Sequence, residues 1–303
     1  MATGVFKRQA VHQVLCNVCG VDDAEVVFPA GVAQLNQVVR CKRCGLMYAS
    51  PRRDADHIEF QSWPDDPNFD MAKERPQRYE KERLQVRDYV NTRALLAKLH
   101  PNRGRVVELG SGMGLMLDRL RDEGWSVLGV DPDRNACRHA SRQLGIEAIP
   151  ATLEEAALPD ESAEVVMMLH VIEHVPDPVA TLREIHRILA PGGHLVIETP
   201  RYDTWTFKLL GRRERSVSCE GHIYFFTTDS LRKVYEAAGF ETVRYDAVGR
   251  SLTLDRLAYN LGVVTRSPAV RRFVANLSKK LGLENRYMHL NFRDMQRVVV
   301  RKV

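Results

Sequence analysis

The sequence feature that most constrains the fold is an apolar run leading directly into a glycine-rich turn. Val106 and Val107 are β-branched residues typical of a strand, and glycines follow at positions 110, 112 and 114. Glycines give such a turn backbone freedom and let a ligand approach the main chain closely. A second apolar segment, residues 127–130, ends in Asp131, whose carboxylate can bind the hydroxyls of a ribose. Together these features predict a site for a nucleoside-type cofactor.

From residue 104 onward, apolar strand patterns alternate with helical patterns at the spacing of βαβ units. Such alternation favours an α/β fold, in which a mostly parallel, Rossmann-like sheet carries helices on both faces. Strands are predicted at 105–109, 126–130, 147–149, 163–169, 194–199, 241–248 and 295–302. Helices are predicted at 76–99, 114–123, 133–144, 178–189, 251–264 and 268–281.

Two Cys-x-x-Cys pairs near the N-terminus indicate a metal site, with 21 residues between the pairs. The cysteines are Cys16, Cys19, Cys41 and Cys44. Gly20 and Gly45 follow the second cysteine of each pair, where a tight turn needs an unusual φ. This spacing predicts a structural zinc ribbon over residues 1–50, since four thiolates complete a tetrahedral site. Disulfides and buried free thiols are the alternatives, and disulfides are disfavoured without a secretory signal.

Composition is that of an ordinary globular protein, with 303 residues, 44% hydrophobic and 27% charged. No apolar run is long enough for a membrane span, and a cytoplasmic location is the expectation. The net charge of +5 is uneven, because residues 266–303 hold ten Lys and Arg against two acidic residues. Such a tail suits nucleic acid, anionic lipid or a phosphorylated substrate, or is simply a solvated helical face.

The arrangement of Glu108 and the three glycines, E-x-G-x-G-x-G, resembles the first motif of class I S-adenosylmethionine-dependent methyltransferases. Residues 189–197 (LAPGGHLVI) resemble that family's passage from helix to fifth strand. Residues 169–178 and 222–240 resemble the subgroup that contains ubiquinone-biosynthesis O-methyltransferases and sugar methyltransferases. The resemblance covers about residues 76–250 and implies a seven-stranded sheet whose last strand is antiparallel.

This resemblance implies S-adenosylmethionine as the cofactor. The expected cofactor-binding residues are Glu108, Gly110, Ser111, Gly112, Gly114, Asp131, Thr152, Leu153 and Leu169. Glu108 is expected to orient the turn or contact the ligand's ammonium group, and Asp131 to bind the ribose. Thr152 and Leu153 are expected to border the adenine. Relatives commonly place a carboxylate near Thr152, so the contact here can run through backbone groups.

His170, Glu173 and His174 follow the predicted strand 163–169 and should project into the crevice where open α/β sheets bind ligands. They form a structural turn, a base or substrate-orienting site, or a divalent metal site. Ubiquinone-type relatives have a metal-associated Glu-x-x-Glu-His cluster, and here His170 replaces the first glutamate. The zinc-protease reading of H-x-x-E-H is excluded because it requires a helix. His222, before an aromatic strand, is the other candidate base. The expected catalytic residues are therefore His222, His174, Glu173 and His170.

The remaining segments suggest domain boundaries. Residues 51–75 form a connector, which Phe60, Trp63 and Phe69 are expected to anchor to a methyltransferase domain over 76–303. A substrate lid is expected at 204–221, with Trp205, Leu209 and Phe207 on one helix face, although this helix can also be an interface-seeking one. A helical insertion over 251–290 can form a cap, a dimer surface or an anion site. Cys137 and Cys219 are expected to pack rather than react.

The sequence therefore predicts methyl transfer to a small molecule, with a sugar or sugar nucleotide favoured and O- or C-methylation both open. A phosphate on the acceptor would suit the basic tail. One alternative is an RNA methyltransferase that uses the ribbon and tail, although the ribbon has few interleaved aromatic and basic residues. Another is a non-catalytic scaffold that binds S-adenosylmethionine. A homodimer is possible.

Overall fold

The computed structural model describes residues 12–30, 37–52, 68, 71–74, 76–214, 216–217, 221–253, 267–280 and 287–303. The strands are β1 (Ala24–Phe28), β2 (Val38–Cys41), β3 (Met47–Ala49), β4 (Arg105–Leu109), β5 (Ser126–Val130), β6 (Ala148–Ile149), β7 (Ala163–Leu169), β8 (Leu189–Pro200), β9 (Tyr224–Phe225), β10 (Phe240–Thr253) and β11 (Tyr287–Lys302). The helices are α1 (Met71–Glu74), α2 (Pro76–Asp88), α3 (Val90–Leu99), α4 (Leu115–Asp122), α5 (Arg134–His139), α6 (Leu153–Ala156), α7 (Pro178–Ile188), α8 (Trp205–Leu210), α9 (Thr228–Glu236) and α10 (Pro268–Lys280).

The main sheet confirms the expected architecture. It has seven strands in the order β10-β11-β8-β7-β4-β5-β6. Strands β8, β7, β4, β5 and β6 are parallel, whereas β11 runs antiparallel to both β8 and β10. Leu109 pairs with Val130 on one side and Met168 on the other, so the carboxyl ends of these strands meet at one edge. Loops that follow the parallel strands therefore share a single crevice.

Several boundaries differ from the sequence-based expectation. The predicted helix 76–99 is two helices, because Tyr89 leaves helical geometry (φ −94°, ψ 8°) as its ring enters the core. The helix predicted at 133–144 is α5 continued by a π-helical turn, Ala140–Leu144. Strand β8 begins at residue 189 rather than 194, since residues 191–193 lie in an irregularity of its pairing with β7.

The predicted helical insertion at 251–290 is wrong at both ends. Residues 251–253 continue β10 and residues 287–290 begin β11, with Thr253 opposite Tyr287. The Ser251 N–H also donates to the Asp88 carboxylate at 2.8 Å, so tertiary pairing holds this segment extended. The helix predicted at 268–281 is confirmed as α10, whereas residues 254–264 lie outside the described residues.

The cysteine-rich segment is joined to the main domain. Its three strands form a second sheet with β9, in the order β1-β2-β3-β9, although β9 lies far along the chain within residues 76–250. One continuous buried cluster includes Leu46 and Tyr48 of this segment together with Val107 and Leu109 of β4. The ribbon and the α/β sheet therefore share a hydrophobic core.

The expected connector lies largely outside the described residues, including Phe60, Trp63 and Phe69, and so does Cys219. Within that connector, Arg52 is buried and residues 71–74 are helical. Trp205 and Leu209 are exposed on α8, but Phe207 faces inward, with its ring 6.2 Å from that of Phe28. Among the helices in the described ranges, none has the length and apolarity needed to cross a bilayer.

The shared core predicts that the ribbon and the sheet unfold together. We expect Leu46→Ala to lower the free energy of unfolding by about 2–5 kcal/mol, because Leu46 is fully buried and its truncation leaves a cavity. The control Val26→Ala, at an exposed position of β1, should change it by less than about 0.5 kcal/mol. Urea denaturation followed by circular dichroism should show one transition. A separate ribbon transition, with the main one unchanged, would contradict the shared core.

Candidate active site

The turn between β4 and α4 has a backbone that requires glycine. Gly110, Gly112 and Gly114 have φ values of 66°, 51° and 74°, all in the left-handed region. A Cβ on Gly110 would lie 2.4 Å from Cγ2 of Val171, and one on Gly112 would lie 2.6 Å from Oε2 of Glu82. The turn is therefore tightly covered on two sides, and Val171 connects it to the loop that follows β7.

Asp131 fixes the shape of this turn. Its Oδ2 accepts the Gly112 N–H at 2.8 Å, and its Oδ1 accepts the Asp133 N–H at 2.7 Å. Each carboxylate oxygen can accept more than one hydrogen bond, so ribose hydroxyls can bind the same group. Asp133 in turn caps α5 by accepting the N–H groups of Asn135 and Ala136. Asp131, the residue predicted to bind the ribose, therefore also stabilises the turn.

Glu108 and Ser111 carry polar atoms that suit a bound ligand. Both side chains are buried, and Glu108 Oε2 and Ser111 Oγ have no hydrogen-bond partner within the described part of the chain. Burial, with the nearby charges of Glu82 and Asp131, holds the pKa of Glu108 well above its ordinary value. Buried polar groups are normally satisfied, so these atoms fit the ammonium and carboxylate of a methionine moiety.

Glu82 lies against the glycine turn, a position that the sequence did not reveal. Its Oε2 accepts the Met113 N–H at 2.9 Å, although it lies on α2, ahead of the sheet. No local signal distinguishes it from the other charged residues of that polar helix. With Glu108 and Asp131, it surrounds the turn with three carboxyl groups, which favours a cationic ligand.

The predicted adenine contacts have other structural roles as well. Thr152 Oγ1 accepts the Glu155 N–H, and Glu155 Oε2 accepts the Thr152 N–H, which forms a capping box for α6. A side-chain contact from Thr152 to adenine would compete with this cap, so the backbone is the better candidate. Leu153 and Leu169 are buried, and the Cys137 thiol packs against the Asp131 carbonyl at 3.3 Å.

His170 adopts a conformation that is unusual for a residue with a side chain. Its φ is 61°, in the left-handed region, directly after β7. Its imidazole lies between two buried carboxylates, with Nδ1 3.6 Å from Glu173 Oε1 and Nε2 3.9 Å from Glu198 Oε1. Glu198 also pairs with Arg297 at 3.1 Å, and burial raises the pKa of Glu198.

Glu173 is fully buried at the centre of the predicted catalytic cluster. Its Oε2 accepts a hydrogen bond from Thr199 Oγ1 at 2.9 Å. Burial alone would raise the pKa of Glu173, but the adjacent His170 imidazole, with His174 and His222, lowers it to about 2. Glu173 is therefore a carboxylate at neutral pH. Thr199, at the end of β8, was not singled out from the sequence.

His174 and His222 come together although 47 residues separate them. Their ring centroids are 4.7 Å apart in an edge-to-face arrangement. His174 Nδ1 lies 2.8 Å from the Gly221 carbonyl oxygen, which selects the tautomer with the proton on Nδ1 and a lone pair on Nε2. Burial, and then the charge of His174, lowers the pKa of His222 to about 3, so His222 is neutral near pH 7.

The structure thus brings together all four predicted catalytic residues at the edge of the sheet that also holds the glycine turn. Ligand atoms of Glu173, His174 and His222 lie within 4.8 Å of one another, so this group can also hold a divalent cation. Tyr202, whose hydroxyl is 3.4 Å from His222 Nδ1, is a further member that the sequence did not indicate.

The four ribbon cysteines are also brought together. Their sulfur atoms lie within 4.8 Å of one another, and Cys16 Sγ is 3.4 Å from Cys44 Sγ. They are free thiols, and a tetrahedral zinc site with bonds of about 2.3 Å places its sulfurs about 3.8 Å apart. The geometry is compatible with the predicted zinc. Gly20 N–H donates to the Cys16 carbonyl and Gly45 N–H to that of Cys41, so the two turns are equivalent.

A model of the methyltransferase domain family matches residues 75–245, more than half of the chain. The chain belongs to this family. Residues 75–245 thus form a class I S-adenosylmethionine-dependent methyltransferase domain, as the motifs around Glu108 and Asp131 predicted.

The chain is similar to curated proteins over only part of the length of each. C-methyltransferase NovU of Streptomyces niveus is 32% identical over 143 residues, which cover 46% of this chain and 33% of NovU. A probable S-adenosylmethionine-dependent methyltransferase of Mycobacterium tuberculosis is 37% identical over 102 residues, which cover 33% of this chain and 37% of that protein. A ubiquinone biosynthesis O-methyltransferase of Alkalilimnicola ehrlichii is 30% identical over 115 residues, 35% of this chain and 47% of that protein. The chain therefore spans less than two thirds of each relative.

A solved structure shows the same fold. A chain in the complex between the Haloferax volcanii Trm112 methyltransferase activator and a methyltransferase has a TM-score of 0.53 and 18% identity. The match covers 82% of this chain and 98% of that one. At this identity the likeness concerns the fold alone.

The neutral, buried His222 predicts a pH dependence of stability. An unfolded imidazole titrates near 6.5 and folded His222 near 3, so the unfolded state binds more protons between these values. The free energy of unfolding should therefore fall as the pH falls through this window. We expect His222→Gln to reduce this slope between pH 5 and 6 by about 1 kcal/mol per pH unit.

Urea denaturation at several pH values measures this slope. The same substitution at His186, a half-buried residue of α7 whose ring packs on Phe240, is the control for the loss of one imidazole. A slope that is equal in wild type and His222→Gln would show that His222 is not held neutral by burial.

Proposed function

We propose that this protein transfers a methyl group from S-adenosylmethionine to a small-molecule acceptor, with His222 or His174 removing the acceptor's proton. The supporting observation is the contact of Val171 with Gly110. Val171 lies between His170 and Glu173 in the loop after β7, so this contact places the glycine turn beside the histidine cluster. A methyl donor on the turn would then lie next to a base, as in-line transfer requires.

The chain's own residues would hold the donor in a defined orientation. Glu108 and the glycine turn would bind the methionine end, Asp131 the ribose, and Leu153 and the Thr152 backbone the adenine. S-adenosylmethionine supplies an electrophilic methyl group on a sulfonium. The carboxylates of Glu82 and Asp131 match its positive charge, which is lost in the product, so they favour the donor over the product.

The histidine pair suits proton removal from a hydroxyl or an acidic carbon. The Gly221 carbonyl orients His174 and leaves its Nε2 as the acceptor nitrogen. His222 is neutral at pH 7, but its pKa of about 3 makes it a weak base on its own, so ionised Glu173 must stabilise the imidazolium that forms. The proton would move from the acceptor to an imidazole as the bond between acceptor and methyl forms and the methyl–sulfur bond of the donor breaks, with its electron pair left on the sulfur of the neutral thioether product.

We infer that the acceptor is a sugar or sugar nucleotide. Residues 169–178 and 222–240 resemble the subgroup that contains sugar methyltransferases as well as ubiquinone-biosynthesis O-methyltransferases, which supports this class, and the similar NovU is named a C-methyltransferase. Exposed Arg272, Lys279 and Lys280 on α10 can bind phosphate. The basic tail contributes less than its net charge suggests, because Arg297 and Arg301 pair with Glu198 and Glu241.

The RNA alternative has less support from the described residues. In the ribbon, Arg40 and Lys42 pair with Glu25 and Asp23, at 3.6 and 3.2 Å, which weakens them as phosphate contacts. We also propose a cytoplasmic location and a homodimer.

Methyl transfer tests the role of the histidines. Radiolabelled S-adenosylmethionine should label an acceptor in a panel of free sugars, nucleoside-diphosphate sugars and phenols. His222→Gln should lower kcat on that acceptor by about 10²-fold or more, the usual worth of a general base, whereas His186→Gln should not. Full activity of both His222→Gln and His174→Gln would refute the base. Labelling of no acceptor despite donor binding would favour the scaffold alternative.

Cofactor binding tests the glycine-turn site separately. We expect Asp131→Ala to raise the Kd for S-adenosylmethionine by about 10- to 100-fold, since hydrogen bonds to a charged group are worth about 1.5–3 kcal/mol. The matched control is Asp122→Ala, an exposed carboxylate at the end of α4. Isothermal titration calorimetry gives both constants. Equal affinity of the two variants for S-adenosylmethionine would show that Asp131 does not bind the cofactor.

A further inference from the structure

We propose that the ribbon acts as a clamp that positions the two segments bearing His174 and His222, with Arg52 and Tyr224 as its positioning residues. The consequence for catalysis rests on the function proposed above for the histidines. The mechanical coupling does not, because it follows from backbone pairing and buried contacts between the ribbon and the sheet.

The ribbon holds the segment that follows His222 in place by strand pairing. Strand β9 adds to β3 in an antiparallel register, with Tyr224 opposite Tyr48 and Phe225 opposite Met47. The Ala49 N–H also donates to the Ile223 carbonyl at 2.8 Å. The residue immediately after His222 is therefore bonded directly to the ribbon.

The same segment is also hydrogen-bonded to the turn that carries His174. The Glu173 carbonyl accepts two backbone N–H groups, from Ile223 at 2.9 Å and Tyr224 at 3.1 Å. His174 is the next residue along the chain, and His222 the residue before this pair. Residues 222–224 thus lie between the ribbon and the turn, so the ribbon fixes the distance between the two imidazoles.

Arg52 adds a second, side-chain connection. It is 2% exposed, and its Nη2 donates to the Pro176 carbonyl at 2.6 Å and to the Tyr224 hydroxyl at 3.3 Å. The Tyr224 hydroxyl lies 2.9 Å from the same Pro176 oxygen and also contacts Asn17 Oδ1. Asn17 is inside the first cysteine turn, and Pro176 ends the loop that carries His174. One buried cluster therefore joins the metal-binding turn to the catalytic loop.

The charge of Arg52 points to the metal-loaded state of the ribbon. Its Nε and Nη1 are buried without a hydrogen-bond partner, its neighbours at Nη2 are neutral oxygens, and its guanidinium carbon lies 5.2 Å from the Tyr224 ring centroid, within the part of the chain described. A buried cation is costly unless an opposite charge lies nearby. Zinc with four thiolates carries a net charge of −2, and the turn of Cys16 and Cys19 is connected to Arg52 through Asn17 and Tyr224. We assign Arg52 as a counter-charge of that centre.

Hydrogen–deuterium exchange of the zinc-loaded full chain tests the clamp. Removal of zinc with a chelator should speed exchange several-fold in residues 171–177 and 222–226. Exchange in residues 108–114 should stay slow, and the Kd for S-adenosylmethionine should change less than about threefold. Unchanged exchange in both histidine segments would overturn the clamp. A uniform increase that includes residues 108–114 would also overturn it, because it would indicate general unfolding.

Two substitutions separate positioning from general stability. Tyr224→Phe deletes the hydroxyl at the Arg52 contact, and Tyr235→Phe deletes another buried hydroxyl, bonded to Thr242 at 2.5 Å. Only Tyr224→Phe should speed exchange at residues 171–177 and lower kcat, by about tenfold, with the KM for S-adenosylmethionine unchanged. Equal effects of the two variants would refute a positioning role. If exchange responds but His222→Gln retains activity, the clamp stands and the proposed base falls.

Zinc affinity tests the charge assignment. Competition with a chromogenic chelator should show at least tenfold weaker zinc binding for Arg52→Gln. Arg40→Gln removes a partly exposed arginine from the same ribbon and should have no such effect. Equal zinc affinity in both variants would overturn the assignment of Arg52 as the counter-charge.

Discussion

The carbonyl oxygen of Glu173 accepts two backbone N–H groups from residues 223 and 224, and much of the site depends on this pair of hydrogen bonds. They join the loop that follows β7 to the short strand β9. The side chain of the same residue bonds Thr199 at the end of β8 and faces His170. Glu173 therefore connects the loop after β7 to β9 through its main chain and to the end of β8 through its carboxylate. Each of these contacts requires the partner segment to be folded in place.

The electrostatics of the crevice divide into two regions. Carboxyl groups of Glu82, Glu108 and Asp131 surround the glycine turn, whereas imidazoles of His174 and His222 lie beside it. A cationic donor suits the first region, and a neutral base suits the second. Burial acts on both regions, since it raises the pKa of Glu108 and lowers the pKa of His222. The contact between Val171 and Gly110 keeps the regions adjacent.

The sequence predicted those parts whose chemistry is local. Gly110, Gly112 and Gly114 were predictable because a left-handed backbone needs glycine, and the paired cysteines because metal binding needs a fixed spacing. The full length of β10 and β11 was not, because residues 251–253 become strand only through pairing with residues 287–290. Glu82 and Arg52 were missed for a similar reason. Their roles come from tertiary contacts of a polar helix and a loop, and neither segment has a pattern that distinguishes these residues.

His170 shows a balance between folding and chemistry at this site. A side chain at φ 61° costs about 1 kcal/mol relative to glycine, which adopts that conformation without strain. Glycine would thus make a more relaxed end to β7, but it would remove the imidazole that lies between Glu173 and Glu198. Two carboxylates would then face each other across a buried space. The backbone strain at His170 is therefore accepted in return for an imidazole that favours the charged forms of Glu173 and Glu198. A substitution that relieves this strain should stabilise the fold but impair the function of the site.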